Sequence, residues 1–253
     1  MNRHHSATWL GCVCALLLLT SPPIYALREL STDRPDQNES PYSVDAGHFQ
    51  IEADFMTAAW DRDENGTTHT STLGGFNVKW GLTDNMDIQF ISSIVQKTAD
   101  QDTYFDNLTA RLKINLWGND SGSTAFGLLP FINLQSLQKG TFEGGIAFPY
   151  ALALAPKWDL GLMAQVDHVA LGDNRSDTTY FFTATVGHEL TDSLSVYSEV
   201  ATRFIPKSST QVQLDFGATY SPVENLQLDC GTNIGITPSA PDLFVFTGIS
   251  WKY

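Results

Sequence analysis

Cysteine is almost missing from this chain. Of the three present, Cys12 and Cys14 lie near the start, and only Cys230 follows residue 26. A single thiol cannot form an internal disulfide, so the exported fold must close through packing and hydrogen bonds. Cations are scarce as well: 14 lysines and arginines stand against 28 aspartates and glutamates. That balance excludes the basic footprint nucleic acid requires. Long apolar runs are also lacking, since Trp9 to Leu19 falls well short of the roughly 20 residues of a membrane helix. With no such helix available, only a closed β-barrel could carry the chain across a bilayer.

What is present begins with a leader. Arg3, His4 and His5 form a short cationic head, an apolar run follows, and Ile24-Tyr25-Ala26 ends on a small residue suited to cleavage. Residues 1–26 therefore read as a secretory signal peptide. Residues 27–47 carry prolines and acids without any period, which marks an irregular N-terminal segment.

From residue 48 onward a period of two dominates. Leu108, Ala110, Leu112, Ile114 and Leu116 alternate with Asn107, Thr109, Arg111, Lys113 and Asn115, a strand with one apolar and one wet face. Phe49, Ile51, Ala53 and Phe55 alternate with Gln50, Glu52 and Asp54. Val212, Leu214, Phe216, Ala218 and Tyr220 likewise oppose Gln211, Gln213, Asp215 and Thr219. Tight turns of similar make sit near residues 84, 120, 156, 191 and 223, a spacing of roughly 32 to 36 residues that suits a repeating two-strand unit. Longer connections fall at 61–70, 98–103, 138–142, 171–178, 205–209 and 237–241. These connections imply about twelve antiparallel strands. A soluble sandwich would also alternate. Export, apolar faces in nearly every strand and aromatics at strand ends (Trp60, Trp80, Trp117, Trp158, Tyr220) favour an all-β, transmembrane, antiparallel up-and-down barrel over residues 48–253. The last strand, Leu243, Val245, Thr247, Ile249, Trp251 and Tyr253 on one face, has the form by which barrel-assembly machinery would receive the chain. The expected location is the bacterial outer membrane, with its lipid as a partner.

Thr32-Asp33-Arg34-Pro35-Asp36, Glu39-Ser40-Pro41 and Gly47-His48-Phe49-Gln50-Ile51-Glu52 resemble the opening of the "MetA-pathway of phenol degradation" family of outer-membrane transporters. Asp106 to Lys113, Glu143-Gly144-Gly145 and Gly248-Ile249-Ser250-Trp251-Lys252-Tyr253 resemble further blocks of it. The resemblance implies an outer-membrane transporter or channel for small solutes, with aromatic or hydrophobic compounds suggested by the family's name. It implies no catalytic residues.

A search for chemistry returns little. His48, His69, His168 and His188 lack metal-ligand spacing, so no metal or cofactor is expected. Asp167-His168 could be part of a lipase or esterase site at the rim, the alternative to transport, but no serine is singled out. A sealed structural barrel is the third reading. The expected lumen residues are Arg111, Lys113, Glu52, Asp54, Glu143, Asp159, Asp167, Glu189, Glu199, Arg203, Asp215 and Asp229. Such an interior, dominated by carboxylates, would concentrate cations. Asp33, Arg34, Asp36 and Glu39 are the candidate residues of a lumen plug, and Asp33, Asp36 and Glu39 the expected partners of Arg111 and Lys113.

Overall fold

The computed structural model describes residues 27–63, 66–97, 102–172, 175–206 and 208–253. The leader, residues 1–26, lies outside them. Twelve strands follow one another: β1 (Phe49–Asp63), β2 (Gly66–Thr83), β3 (Met86–Lys97), β4 (Asp102–Trp117), β5 (Thr124–Asn133) and β6 (Gly144–Ala155) form the first half. The second half is β7 (Trp158–Gly172), β8 (Arg175–Thr191), β9 (Leu194–Phe204), β10 (Gln211–Val223), β11 (Leu226–Gly235) and β12 (Leu243–Lys252). Each pairs antiparallel with its neighbours in sequence, and β1 pairs with β12, so the sheet closes into a barrel. Closure removes both sheet edges, which is what lets strands cross lipid without unpaired backbone groups. At the seam, the Phe49 and Tyr253 amides each donate to the other's carbonyl, at 3.0 and 2.8 Å.

The turns explain the register. Asp84-Asn85, Pro156-Lys157, Asp192-Ser193 and Glu224-Asn225 are two-residue links between strands. Lys157 takes a positive φ of 68° there. The longer link after Trp117 needs Gly118, whose φ is 86° and whose missing Cβ leaves room for the Thr124 carbonyl. On the other side of the barrel two of the connections are much shorter than their sequence suggests. Strands run on to Asp63 and resume at Gly66, and run to Gly172 and resume at Arg175. Between β5 and β6 lies a short helix, α1 (Leu134–Gln138), capped by the Asn133 side chain accepting from the amides of Gln135 and Ser136.

The apolar face points outward. Phe90, Leu116, Val166, Phe182, Phe216 and Trp251 are all exposed, as a lipid-facing surface requires. Aromatics gather near the short-turn end: Trp80, Trp117, Trp158 and Tyr220 are each between 44% and 48% exposed. Histidines join this belt. His188 stacks on Trp158 at 4.0 Å and its Nδ1 donates to the Lys157 carbonyl, 2.9 Å away. Alternation breaks where the ladder bulges. In β1 the register slips between Asp54 and Met56, so Phe55 and Met56 are both exposed and Thr57 becomes the buried position.

Candidate functional site

Inward positions carry the charges. Glu52, Lys79, Asp87, Lys113, Glu199 and Asp215 are at most 2% exposed, although every one sits on a strand of a barrel wall. Their burial has one source: residues 28–45 run through the inside and meet them. Asp33 lies between Lys79 Nζ at 2.6 Å and Lys113 Nζ at 2.5 Å. Glu52 also pairs with Lys79 and accepts from the Asp33 amide at 3.0 Å. Arg34 uses both sides of its guanidinium. Its Nε and Nη2 donate to Asp229 at 3.1 and 2.7 Å, and its Nη1 pairs with Asp54. Glu39 pairs with Arg111 Nη1 at 2.5 Å. Backbone groups continue the contact: the Gln37 amide donates to Glu199 at 2.9 Å, the Val44 amide to Asp87 at 2.9 Å, and Asn115 to the Pro41 carbonyl at 2.9 Å. A segment that meets β1, β2, β3, β4, β9 and β11 of a closed barrel can lie only in its lumen.

The wall is shaped to receive it. A Cβ at Gly81 would overlap the Asp45 carbonyl, one at Gly248 the Arg34 guanidinium, and one at Gly161 the Asn38 amide nitrogen, 2.6 Å away. These inward glycines are the room through which the segment passes. Gly248→Val should therefore push Arg34 off Asp229 and increase conductance fluctuations in planar bilayers. A trace identical to the wild type would mean the guanidinium can be accommodated elsewhere.

Charge is not distributed evenly along the segment. Burial alone would raise the Asp33 carboxyl, but Lys113, Lys79 and Arg111 outweigh it and hold it well below the usual carboxylate range. Asp36 has the opposite setting. Burial, then the nearby Glu199 carboxyl, push it well above that range, and Asp215 adds to the effect. Glu199 and Asp215 are direct partners across the β9–β10 ladder, where like charges are unfavourable. Thus Arg111 meets Glu39 and Lys113 meets Asp33, whereas Asp36 packs beside other carboxyls.

The other expected lumen residues divide by position. Asp167 is inward and takes Arg203 at 3.1 Å and the Thr179 hydroxyl at 3.2 Å. Asp159 and Glu189 keep inward parity but sit exposed at the short-turn ends of β7 and β8. Glu143 belongs to the loop before β6, where it accepts from the Asn133 side chain and the Ala170 amide. An Asp167-His168 site meets a geometric objection: neighbours in one strand point to opposite faces, and His168 packs on Phe142 at 5.7 Å while Asp167 faces inward. No cluster of three or more His, Cys, Asp or Glu that could hold a metal occurs among the described residues.

Two features escaped sequence reasoning. One is an apolar patch on the inner wall, made by Leu129, Ala147, Met163, Phe181 and Ala201 on β5 to β9. Its signal was available: β5 and β6 are apolar on both faces, so their inner face could not be wholly wet. The other is the set of inward glycines.

Two cavities border the segment, and a third lies in the barrel wall. One of about 420 Å³ in the lumen is lined by Arg34, Glu39, Asp54, Asn77, Arg111 and Phe244. Another, about 290 Å³, lies toward the short turns beside Asp36, Tyr42, Ser123 and Asp159. The third, about 720 Å³, is an apolar groove in the wall. Its lining mixes outward Leu112, Ile132 and Val166 with inward Arg111, Phe131 and Asp167. It lies where the β4–β5 ladder skips from Arg111↔Phe131 to Ile114↔Leu128, next to Pro130, which has no amide proton to give.

Comparisons with known proteins agree with this architecture. The family model described as "Putative MetA-pathway of phenol degradation" matches residues 32–253. The crystal structure of an outer-membrane channel from Pseudomonas putida F1 is similar, with a TM-score of 0.62 and 11% identity over 88% of this chain and 100% of that one. The NanC porin is similar with a TM-score of 0.55 and 9% identity, covering 81% of this chain and 100% of that one. At such identities the likeness speaks for the fold. No curated protein matches the sequence.

Proposed function

Because the chain belongs to the MetA-pathway of phenol degradation family and forms a bacterial outer-membrane β-barrel of the porin and channel kind, we propose that it is a channel for small apolar or aromatic compounds, gated by residues 30–46. The observation that carries this reading is the arrangement of cavities. An apolar groove in the wall reaches Arg111, Arg111 also lines the lumen cavity, and a third cavity lies beyond the segment toward the short turns. A solute gathered from the lipid side would meet apolar side chains first and ion-paired ones second, with the segment as the obstacle between the cavities. The reading assigns no chemistry to the barrel, and Asp167 is engaged with Arg203 and Thr179 rather than poised beside a nucleophile.

Lipopolysaccharide-containing liposomes that carry the purified protein should take up labelled benzamide faster than protein-free liposomes. Filling the groove with Ile146→Trp should slow that uptake. Equal uptake with and without protein would make this a sealed barrel, and hydrolysis of phospholipid by the purified protein would return the rim-enzyme reading.

A further inference from the structure

Two arginines face the lumen cavity, and they are used differently. Arg34 is saturated by carboxylates: Asp229 takes its Nε and Nη2 side, and Asp54 takes Nη1. Arg111 has Glu39 on Nη1 at 2.5 Å, and Glu39 is its one ion-pair partner among the described residues. Its Nε is buried and makes no hydrogen bond, and the same is true of Glu39 Oε2. A guanidinium is a planar fork whose strongest partner is a carboxylate bound through two parallel hydrogen bonds. Arg34 shows that arrangement completed within this same lumen; Arg111 shows it half completed.

The surroundings of Arg111 say what could complete it. Its guanidinium carbon lies 6.0 Å from the centre of the Phe131 ring. Phe244 lines the same lumen cavity, and the wall groove that reaches Arg111 is apolar. The acidic character that would repel an anion is largely neutralised here, since Asp33 is held by Lys79 and Lys113, and Asp54 by Arg34. We propose that the Nε side of Arg111 binds the carboxylate of a small monocarboxylic acid whose apolar body lies against Phe131. This deepens the channel reading and rests on it. It makes Arg111 the residue that selects among apolar solutes, favouring the acid over its neutral counterpart.

Benzoate and benzamide, nearly equal in shape and different in charge, separate the two claims. Uptake of both is measured with wild-type protein, with Arg111→Lys, and with the double variant Arg111→Gln/Glu39→Gln, in which a neutral hydrogen-bonded pair replaces the ion pair. Binding of benzoate to each detergent-solubilised protein is measured by calorimetry, and heat-modifiable gel migration reports folding. The wild type should prefer benzoate, and the ratio of benzoate to benzamide uptake should fall at least ~10-fold in the double variant, as loss of a charged hydrogen bond implies. Arg111→Lys should fall between, because it keeps the charge and loses the fork. A wild type that takes up benzamide at least as well as benzoate would overturn the inference and leave the channel intact, as would a benzoate preference that survives in the double variant. If neither solute enters, the channel reading fails; calorimetry then decides the inference alone, with Arg111-dependent benzoate binding upholding it and any other result overturning it. Should the double variant misfold, the Arg111→Lys ratio carries the same decision.

Discussion

Deleting residues 30–46 should raise the single-channel conductance of the reconstituted barrel several-fold. The wall does not depend on the segment, because every strand is paired on both sides by strands and the β1–β12 seam is made by residues after 48. A twelve-stranded barrel is wider than the eight-stranded kind that side chains alone can fill, so removing its internal segment opens it. Deletion would also leave Glu52, Asp54, Glu199, Asp215 and Asp229 facing water, in excess over Lys79, Arg111 and Lys113. The opened pore should consequently select cations. Unchanged conductance in planar bilayers would remove the gating role of the segment.

Asp33→Ala is the next most disruptive change expected. It removes the one ion-pair partner of buried Lys113 among the described residues and leaves Lys79 with its Glu52 pair. Breaking a buried pair from one side costs about 3–5 kcal/mol. Part of the cost is avoided if the segment lifts away and lets water in. Thiol labelling of a Gln37→Cys reporter, in a Cys230→Ser background, should become much faster in Asp33→Ala. Adding Lys113→Met should slow it again, because the orphaned charge is gone. Labelling that ignores Asp33→Ala would show that the segment is anchored elsewhere.

The pH response follows from the same residues. A carboxyl held low in the folded state, as Asp33 is, contributes stability that is present above its unfolded value, about 3.9, and is lost only as pH falls through the folded value. Between pH 7 and 4 that anchor stays. Asp36 is raised, so its contribution is present at low pH and is lost as pH rises. Mild acid should therefore seat the segment more firmly than alkali.

How much of this could be read from residues alone depends on whether the cause was local. The strand containing Arg111 and Lys113 alternates cleanly, and the turns at Asp84-Asn85 and Asp192-Ser193 are marked by polar residues between apolar ends, so both were legible. The bulge after Asp54 was not, because it requires knowing which β12 residue lies opposite. Nor was α1, whose Leu134 and Leu137 resemble strand continuation. The pairing of Arg34 with Asp229 spans most of the chain, and only closure of the barrel brings the two together. The carboxylate-rich lumen was visible as composition. Its pairing with specific cations, Asp33 with Lys79 and Lys113 and Asp54 with Arg34, was not.

The seam between Phe49 and Tyr253 constrains how the molecule can come into being. Until β12 is in place, β1 and the last completed strand both present open edges, each a template for another chain. Every intermediate short of the whole is thus adhesive. Chains truncated before β12 should accumulate as oligomers joined edge to edge, and an assembly route for this protein must shield its first strand for the entire time the other eleven are being laid down.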